Sequence, residues 1–299
     1  MTVALLSRLT RSPALRRCGR AAKTAWKQLF FWPLHAQRKS RFGVLGLAPG
    51  AQLQLDGACA CRACANFVPL TYQAIRGLTR IGTGPPRPRR WSPTAAVIDL
   101  DRLATFDDWR VPVSQRTSGK YHRSANKARR MGYASRVVGK DSYSRSLYEL
   151  TGSKFRRSKG VLVWAAFAGP WDGLVDTGSP PQPPACPRHW RICWGAFRAT
   201  EQGEQLAAFA ILIRAGDVVW VQRFIGHGAA LTDGVTKLLM FDIMQWLLAR
   251  GGPDTTGIRW LMHGHIEEGG VGLFDWKRYL GFVPMALDVT DEVNAAPRP

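Results

Sequence analysis

Several side chains that can accept a proton follow one another in the last forty residues of the chain. His263 and His265 lie at the end of a predicted strand, Glu267 and Glu268 come directly after it, and Asp275 lies one turn into the next predicted helix. Imidazole and carboxylate groups are common general bases in enzymes, so His265, Glu267, Glu268 and Asp275 are candidates for that role. The spacing does not select among them. Two alternating histidines without a clear third ligand do not predict a metal site, and no metal is expected.

Three cysteines, Cys59, Cys61 and Cys64, lie close together in the first third of the chain. With a fourth ligand such as His35 they could bind zinc, although the paired C-x-x-C knuckles of zinc sites are absent. Their uneven placement is unlike the disulfide framework of a secreted protein. The alternative is that they are reduced cysteines in an alanine-rich segment.

A predicted helix, Lys120–Arg130, carries basic residues on one face. Lys120, Arg123, Lys127 and Arg130 have the spacing of helix neighbours. Such a face could bind nucleic acid through its charge or, on an enzyme, hold a phosphorylated donor or acceptor. Arg123, Lys127 and Arg130 are therefore candidate substrate-binding residues. The alternative is a solvated basic helix.

The charge of the chain is unevenly distributed. The net charge is +21 over 299 residues, and residues 1–90 hold sixteen Lys or Arg and a single acid, whereas residues 161–299 hold eleven against fourteen acids. A basic half indicates a phosphate-bearing partner: a nucleotide cofactor, RNA such as tRNA, or an anionic membrane surface. The apolar content of 45% is enough for a real core and argues against disorder throughout.

The opening segment, Met1–Trp32, contains no acid and is rich in arginine, as are organellar transit peptides and basic membrane-surface helices. The alternative is a leader with no targeting role. The apolar run Val3–Leu6 is too short for a secretory signal, and no run reaches the roughly 18 apolar residues of a transmembrane helix. We expect a cytoplasmic protein with a candidate membrane contact in residues 1–45.

Composition predicts a basic, partly disordered extension in residues 1–90 and a folded domain in residues 91–299, joined at the proline- and arginine-rich segment Thr83–Pro93. Residues 170–189 are rich in proline and glycine and predict a surface loop. The predicted strands are Ala95–Leu100, Ala134–Val138, Ile192–Arg198, Gln205–Arg214, Val218–Phe224, Ile258–His263 and Val283–Val289. The predicted helices are Leu103–Trp109, Lys120–Arg130, Tyr143–Arg157, Gly234–Arg250 with Asp233 as its N-cap, and Leu273–Tyr279. An antiparallel meander, a long helix, a strand, a short helix and a last strand make an α+β order.

Three segments resemble the Fem-type and CelD-like branch of the GNAT superfamily, whose members transfer acyl or aminoacyl groups to amines. They are the basic helix and its end, Lys120–Tyr133, the loop and helix start Gly226–Leu239, and the ending Gly272–Pro284. The resemblance spans about residues 115–290. It implies a GNAT-like fold with a mixed, mainly antiparallel central sheet flanked by helices. It also implies an acyltransferase that moves a group from acyl-CoA or aminoacyl-tRNA to an amine by direct attack.

The resemblance extends to the segment Arg223–Gly228, which matches the spacing of the loop that holds the donor pyrophosphate in GNAT enzymes through backbone N–H groups at a helix N-terminus. The segment of sequence between Gly228 and Val235 is longer than in ordinary acetyl-CoA enzymes. Asp233 and Gly234 are therefore an equally good start for the helix. An aminoacyl-tRNA or another activated donor therefore stays open. In the alternative interpretation, Gly226 and Gly228 are only turn residues. The implied donor-binding residues are Arg223, Gly226, His227, Gly228 and Gly234.

Lys277 stands at the position where Fem-type enzymes keep a lysine against the phosphates or the developing negative charge of the transferred group. In the same enzymes a base takes the proton from the attacking amine, and His265, Glu267, Glu268 and Asp275 are the candidates for this task. The alternative for Lys277 is a solvated helix face formed by Trp276–Arg278.

Two other functions stay open. Cys61 and Cys64 resemble the N-terminal segment of arginyl-tRNA-protein transferases, although other motifs of those enzymes are not evident. A non-catalytic RNA- or membrane-binding protein on a GNAT-like scaffold would bind in a salt-dependent way through residues 1–45 and 116–130. The transferase is favoured because the C-terminal half of the chain is not basic. A protein that binds only through its charge would not require such a half.

The transferase hypothesis makes a structural prediction. It requires an open cleft between the strand that ends at Phe224 and the strand that ends at His263, lined by His265, Glu267 or Lys277. A closed, apolar seam at this place would argue against catalysis.

Overall fold

The structure, a computed structural model, describes residues 48–53, 95–139, 141–154, 173–266 and 271–289. Its strands are β1 (Ala48–Leu53), β2 (Ala95–Asp99), β3 (Tyr133–Val138), β4 (His189–Thr200), β5 (Gly203–Ala215), β6 (Val218–Gly226), β7 (Trp260–His265) and β8 (Val283–Val289). Its α-helices are α1 (Phe106–Arg116), α2 (Lys120–Arg130), α3 (Ser144–Gly152), α4 (Val235–Ala249) and α5 (Val271–Leu280), and a 3-10 turn spans Ala229–Asp233. The leader, the cysteines at 59, 61 and 64, Glu267 and Glu268 lie outside the described residues.

The strands form one sheet in the order β1-β8-β2-β7-β6-β5-β4-β3. The pairs β1–β8 and β6–β7 are parallel, and the other neighbours are antiparallel. The predicted α+β class, with a mixed, mainly antiparallel sheet flanked by helices, is confirmed, and the order of elements is the one that the GNAT resemblance implies. β1 lies within residues 1–90, and the division of the chain at residue 90 stays a prediction.

The meander β4–β5–β6 carries a core on each face, because successive strand residues point to opposite sides. On one face Cys193, Phe209 and Ile211 pack with Leu150 of α3. On the other face, Trp194 lies 5.7 Å from the ring of Trp246 in α4. The sheet is therefore covered by α3 on one side and by α4 on the other.

Helix α4 is buried on nearly all sides. The sequence pattern predicts an apolar face through Leu238, Phe241, Met244 or Gln245, and Leu248. In the structure Leu239, Met240, Ile243 and Leu247 are buried as well. The reason is that α1 and α2 cover the side of α4 that does not face the sheet: the ring of Phe241 lies 5.0 Å from that of Trp109 and 6.2 Å from that of His122.

The start of α4 differs from its prediction. Asp233 was expected as the N-cap, but Gly234 occupies that position with a φ of +91°, and the carboxylate of Asp233 instead accepts a hydrogen bond of 3.0 Å from the hydroxyl of Tyr133. The prediction of Asp233 as the cap is wrong because helix α2 crosses this point. A Cβ on residue 234 would lie 2.3 Å from the carbonyl oxygen of Ser124, so only glycine fits.

The turn between β5 and β6 is joined to the α4–β7 connection by Arg214, which is 2% exposed. Its guanidinium donates to the carbonyl oxygens of Gly216 at 2.8 Å, Asp254 at 3.0 Å and Thr256 at 2.6 Å. Burial, with the nearby charge of Arg188, lowers the pKa of Arg214 to about 10. Backbone carbonyls thus satisfy a charge that would otherwise be expensive to bury.

Candidate functional site

Strands β6 and β7 run side by side for only three residues and then separate. Parallel pairing joins Val218–Trp220 to Trp260–Met262. Beyond these residues, β6 stays paired with β5 as far as Gly226, and β7 stays paired with β2 as far as His265. The sheet therefore continues on both sides of a gap that opens between the C-terminal ends of the two strands.

Each of the two strands has an extra residue where the separation begins. In β6 the extra residue opposite β5 is Gln222, and in β7 the extra residue opposite β2 falls within His263–Gly264. Gly264 has a φ of +56°, a conformation that glycine adopts readily. Such β-bulges bend a strand, increase its twist and re-aim its side chains. Two bulges at the same level of neighbouring strands account for the gap.

Aromatic rings line this gap. Trp276 of α5 has its ring 5.2 Å from that of Phe224 on β6 and 5.4 Å from that of His263 on β7, and Phe282 lies 5.9 Å from His263. Phe224, His263 and Trp276 are half-buried, so the cluster reaches the surface. The imidazole of His263 is the titratable group among these four rings. The two strands separate as the transferase hypothesis requires, but the described lining is aromatic, and both ring nitrogens of His263 are buried. An open cleft lined by His265, Glu267 or Lys277 stays a prediction.

Lys277 is buried at the end of β7. The side chain is 0% exposed, and its ammonium group donates a 2.5 Å hydrogen bond to the carbonyl oxygen of His265. The alternative of a solvated helix face therefore does not hold for Lys277. Burying a charged group is costly unless it has a partner. The hydrogen bond fixes α5 against His265, the last residue of β7. The imidazole of His265 is half-buried.

The glycine loop after β6 uses its backbone N–H groups within the protein. The N–H of His227 donates to the carbonyl of Ala207 at 2.7 Å, and the N–H of Gly228 donates to the hydroxyl of Ser153 at 2.9 Å. A Cβ on Gly228 would lie 2.6 Å from the carbonyl oxygen of Ser153, and one on Gly226 would lie 2.7 Å from Leu231 and from Thr236. Close packing thus requires both glycines. Their role in binding a donor stays a prediction.

Arg223 and Gly234, the other predicted donor-binding residues, lie on different sides of the sheet. The guanidinium of Arg223 donates to the hydroxyl of Thr151 in α3 at 3.3 Å. Burial, with the nearby charge of Arg191, lowers the pKa of Arg223. Gly234 instead packs against Ser124 of α2. The structure therefore does not bring these two residues together.

The basic residues of α2 lie in different surroundings. The ammonium of Lys127 donates to the carbonyl of Thr232 at 3.1 Å and lies 3.7 Å from the carboxylate of Asp233. Arg123 and Arg130 are exposed. Lys127 thus holds α2 against the segment before α4, while Arg123 and Arg130 stay accessible to a substrate.

A second cluster lies where α2, α4 and α5 meet. The rings of Tyr121 and Tyr279 are 5.9 Å apart, and the ammonium of Lys237 lies 5.7 Å from the ring centre of Tyr121. Burial raises the pKa of Tyr121 to about 12, and nearby Tyr279 and Asp275 add to the shift. Burial, and then the like charge of Lys120, lower the pKa of Lys237.

Asp275 borders this cluster rather than the aromatic gap. Its half-buried carboxylate lies 4.0 Å from the guanidinium of Arg278 and acts electrostatically on Tyr121. Among the residues that the structure describes, no group of three or more His, Cys, Asp or Glu side chains could hold a metal ion. No helix in the described part of the chain is long and apolar enough to cross a membrane.

The sequence contained signals for two features that it did not identify. Lys237 is one of only two charged residues in α4, and the other, Asp242, is paired with Arg129 at 2.5 Å. A charged residue in an otherwise apolar helix requires a partner or a function. Gly264 stands between two histidines in a predicted strand end, and glycine inside a strand often marks a bulge.

No protein-family model matches the sequence, and no curated protein matches it. Among solved structures, the chain is similar to a tandem GNAT protein from the clavulanic acid biosynthesis pathway, at 16% identity and a TM-score of 0.37 over 64% of this chain and 50% of that one. It is similar to FemX at 9% identity and a TM-score of 0.45, over 71% of this chain and 65% of that one. A C-terminal DUF2156 domain from Agrobacterium fabrum gives 14% identity and a TM-score of 0.37, over 64% and 57%. The matched part is therefore less than two thirds of each of these solved chains, and the solved structures to which this chain is similar include GNAT proteins.

Proposed function

We propose that the chain is an acyl- or aminoacyltransferase that acts at the gap between β6 and β7. The observation that supports this proposal is the separation of the two strands at paired bulges, beyond Trp220 and Met262. Paired strands lie ~4.8 Å apart and leave no room for a ligand between their backbones. Separated strands offer a place where an activated acyl group can lie against strand edges that no longer face each other.

The reaction is a direct attack. The amine nitrogen forms a bond to the acyl carbon, and the bond from that carbon to the donor sulfur or oxygen breaks, releasing a thiol or a hydroxyl group. A base must take the proton from the amine nitrogen, and His263 is the side chain that the bulge directs into the aromatic cluster. Imidazole can carry out this transfer near neutral pH. Backbone N–H groups on the separated edge of β6 can donate to the carbonyl oxygen as negative charge develops there.

The other residues that the sequence predicted as catalytic have other roles in this proposal. Lys277 acts as a positioning residue, because its bond to the His265 carbonyl fixes the end of β7 that follows His263. His265 and Glu267 follow His263 along the chain and stay alternative bases. Asp275 is a weaker alternative because its carboxylate lies near Tyr121, where its charge helps to raise the pKa of that side chain. Acyl-CoA and aminoacyl-tRNA both stay open as donors.

The test is a transfer assay with the full chain. Labelled acyl-CoA thioesters and charged tRNA are supplied as donors with a panel of amines, and transfer is followed as labelled amide. His263→Gln should lower kcat by about a hundredfold or more while KM for the donor changes little, which is the effect expected from loss of a general base. His265→Gln, two residues away on the same strand, is the matched variant that separates the two imidazoles.

An unchanged kcat in His263→Gln, with a large loss in His265→Gln, would assign the base to His265. Lys277→Met in the same assay should lower kcat through the displaced strand end, with donor KM affected less. Absence of transfer from every thioester and charged tRNA, under conditions where the chain is folded, would refute the proposed function.

A further inference from the structure

We propose that residues 179–184 are a docking site for a protein domain that binds proline-rich chain in a groove between aromatic side chains. These residues belong to the proline- and glycine-rich loop that the composition predicted, and the proposed function makes no use of them. Their conformation, their exposure and their attachment to the fold all favour recognition by such a domain.

The local sequence dictates an extended conformation for residues 179–184, which read Ser-Pro-Pro-Gln-Pro-Pro. A proline ring holds φ at about −65°, and the residue before a proline is restricted to the β and polyproline II regions. Every residue of the segment is a proline, precedes one, or does both. In the structure, residues 177–184 contain no helix, strand or turn, and no peptide bond among the described residues is cis. Residues 179–184 therefore have the polyproline II form.

The spacing of the prolines gives this segment two apolar edges. A polyproline II helix has about three residues per turn, so residues three apart lie along the same edge. Pro180 and Pro183 share one edge. Pro181 and Pro184 share the next edge, and Gln182 lies on the third. Two neighbouring edges of proline rings with a polar edge behind them fit a groove lined by aromatic side chains.

The proline edges lie at the surface of the protein. Residues 179–183 are exposed, and Pro184 is half-buried. Within the part of the chain that the structure describes, the carbonyl oxygens of Pro181, Gln182 and Pro183 accept no hydrogen bond. The core therefore does not use most of these rings, and the carbonyls can accept hydrogen bonds from the side chains of a partner.

Both ends of the segment are attached to the fold. At one end, the carbonyl of Ser179 accepts a hydrogen bond of 2.8 Å from the hydroxyl of Ser142, and the carbonyl of Ser142 accepts one of 2.9 Å from the N–H of Thr177. At the other end, the buried sulfur of Cys186 lies 3.7 Å from Nδ1 of His189, the first residue of β4. A segment held at both ends loses little conformational entropy when a partner binds it.

The segment leads into the end of the sheet that is opposite to the gap. Strands β4 and β6 both run antiparallel to β5, so the start of β4 and the start of β6 lie at the same end of the sheet. The strands β6 and β7 separate at their other end, beyond Trp220 and Met262. Docking at residues 179–184 is therefore separate from the proposed acyl transfer, and either can exist without the other.

The experiment measures the binding of purified SH3, WW and EVH1 domains to the full chain by titration calorimetry. At least one domain should bind. Pro181→Ala and Pro184→Ala should each weaken its binding about tenfold, because each substitution removes ring carbons that the groove buries. The matched control is Gln182→Ala, which lies in the same segment on the polar edge and should change Kd by less than about twofold.

Two results of this titration would overturn the proposal. The first is the absence of binding by every domain at a Kd of ~1 mM or tighter. The second is equal weakening by Gln182→Ala and by the two proline substitutions, which would show that the proline edges are not what the domain recognises.

Melting temperatures separate docking from a purely structural role of the prolines. Prolines in a loop also stabilise a fold by restricting the unfolded chain, so the Pro181→Ala, Pro184→Ala double variant should melt lower by at most about 8 °C while losing its binding. A lower melting temperature with unchanged binding would assign the prolines to the stiffness of the loop and would overturn the proposal. Self-association of the unmodified chain that the double variant abolishes would assign the segment to an interface between two copies, with the same consequence.

Discussion

Because α2 lies so close to the start of α4, we expect a substitution of Gly234 to lower the free energy of unfolding by an unusually large amount. Gly234 and Gly132 both have left-handed backbones, with φ of +91° and +83°, so alanine at either position is strained by ~1–2 kcal/mol. At Gly132 nothing lies within 4 Å of an added Cβ. At Gly234 the added Cβ would lie 2.3 Å from the carbonyl oxygen and 2.7 Å from the carbonyl carbon of Ser124.

The difference in the free energy of unfolding between Gly132→Ala and Gly234→Ala measures the cost of the contact with Ser124. Backbone atoms inside α2 cannot move aside as a flexible side chain can, and overpacking of this kind costs ~1–3 kcal/mol. Gly132→Ala should therefore lower the free energy of unfolding by ~1–2 kcal/mol from backbone strain alone. Gly234→Ala should lower it by ~2–5 kcal/mol, the sum of strain and overpacking.

Urea titrations followed by tryptophan fluorescence give both values, provided that the slopes of the transitions agree. A difference between the two variants below ~0.5 kcal/mol, within the usual effect of a surface substitution, would refute the described packing of α2 on α4.

Two further predictions concern Asp217 and Gly264. Burial raises the pKa of Asp217 to about 6, although its own backbone N–H and the charge of Arg259 act in the opposite direction. The native state therefore binds this proton more tightly than the unfolded chain does, so the free energy of unfolding should decrease as pH rises from about 4 to about 6. Asp217→Asn should remove this decrease and should raise the free energy of unfolding at pH 7 by ~1–3 kcal/mol, measured by urea titration. Gly264→Ala should cost ~1–2 kcal/mol through its positive φ and should also lower kcat of transfer, because the bulge that directs His263 would change. A flat pH profile for both the unmodified chain and Asp217→Asn, or full transfer activity in Gly264→Ala, would contradict these arguments.

Local patterns predicted the elements that have strong local signals. The helix Lys120–Arg130 and the strand Val283–Val289 have the bounds found in the structure. Helix α1 was expected at Leu103–Trp109 but spans Phe106–Arg116. Its start is fixed by a capping box of Thr105 and Asp108, and it continues through Pro112. Burial of Trp109 and Val113 against the rest of the fold stabilises the helix beyond the proline, which no local pattern records.

The candidate site depended more on contacts between distant residues. The sequence indicated a gap between two strands, because the order of elements resembled a known arrangement. It could not predict the bulges at Gln222 and His263–Gly264, because an extra residue is defined only by the partner strand opposite. It also could not place Lys237 beside Tyr121, because these residues lie 116 positions apart in the numbering and meet only where α2 packs on the start of α4.

The buried Arg214 has a consequence for how the gap can move. Its bonds to the carbonyls of Gly216, Asp254 and Thr256 lie at the end where β6 and β7 begin, and the carbonyl of Asp217 accepts from the N–H groups of Arg259 and Trp260 at 2.8 and 3.0 Å. The two strands are therefore immobilised at one end and divergent at the other. Sliding of one strand along its neighbour would break all of these bonds together. The width of the gap therefore cannot change by sliding of β6 along β7.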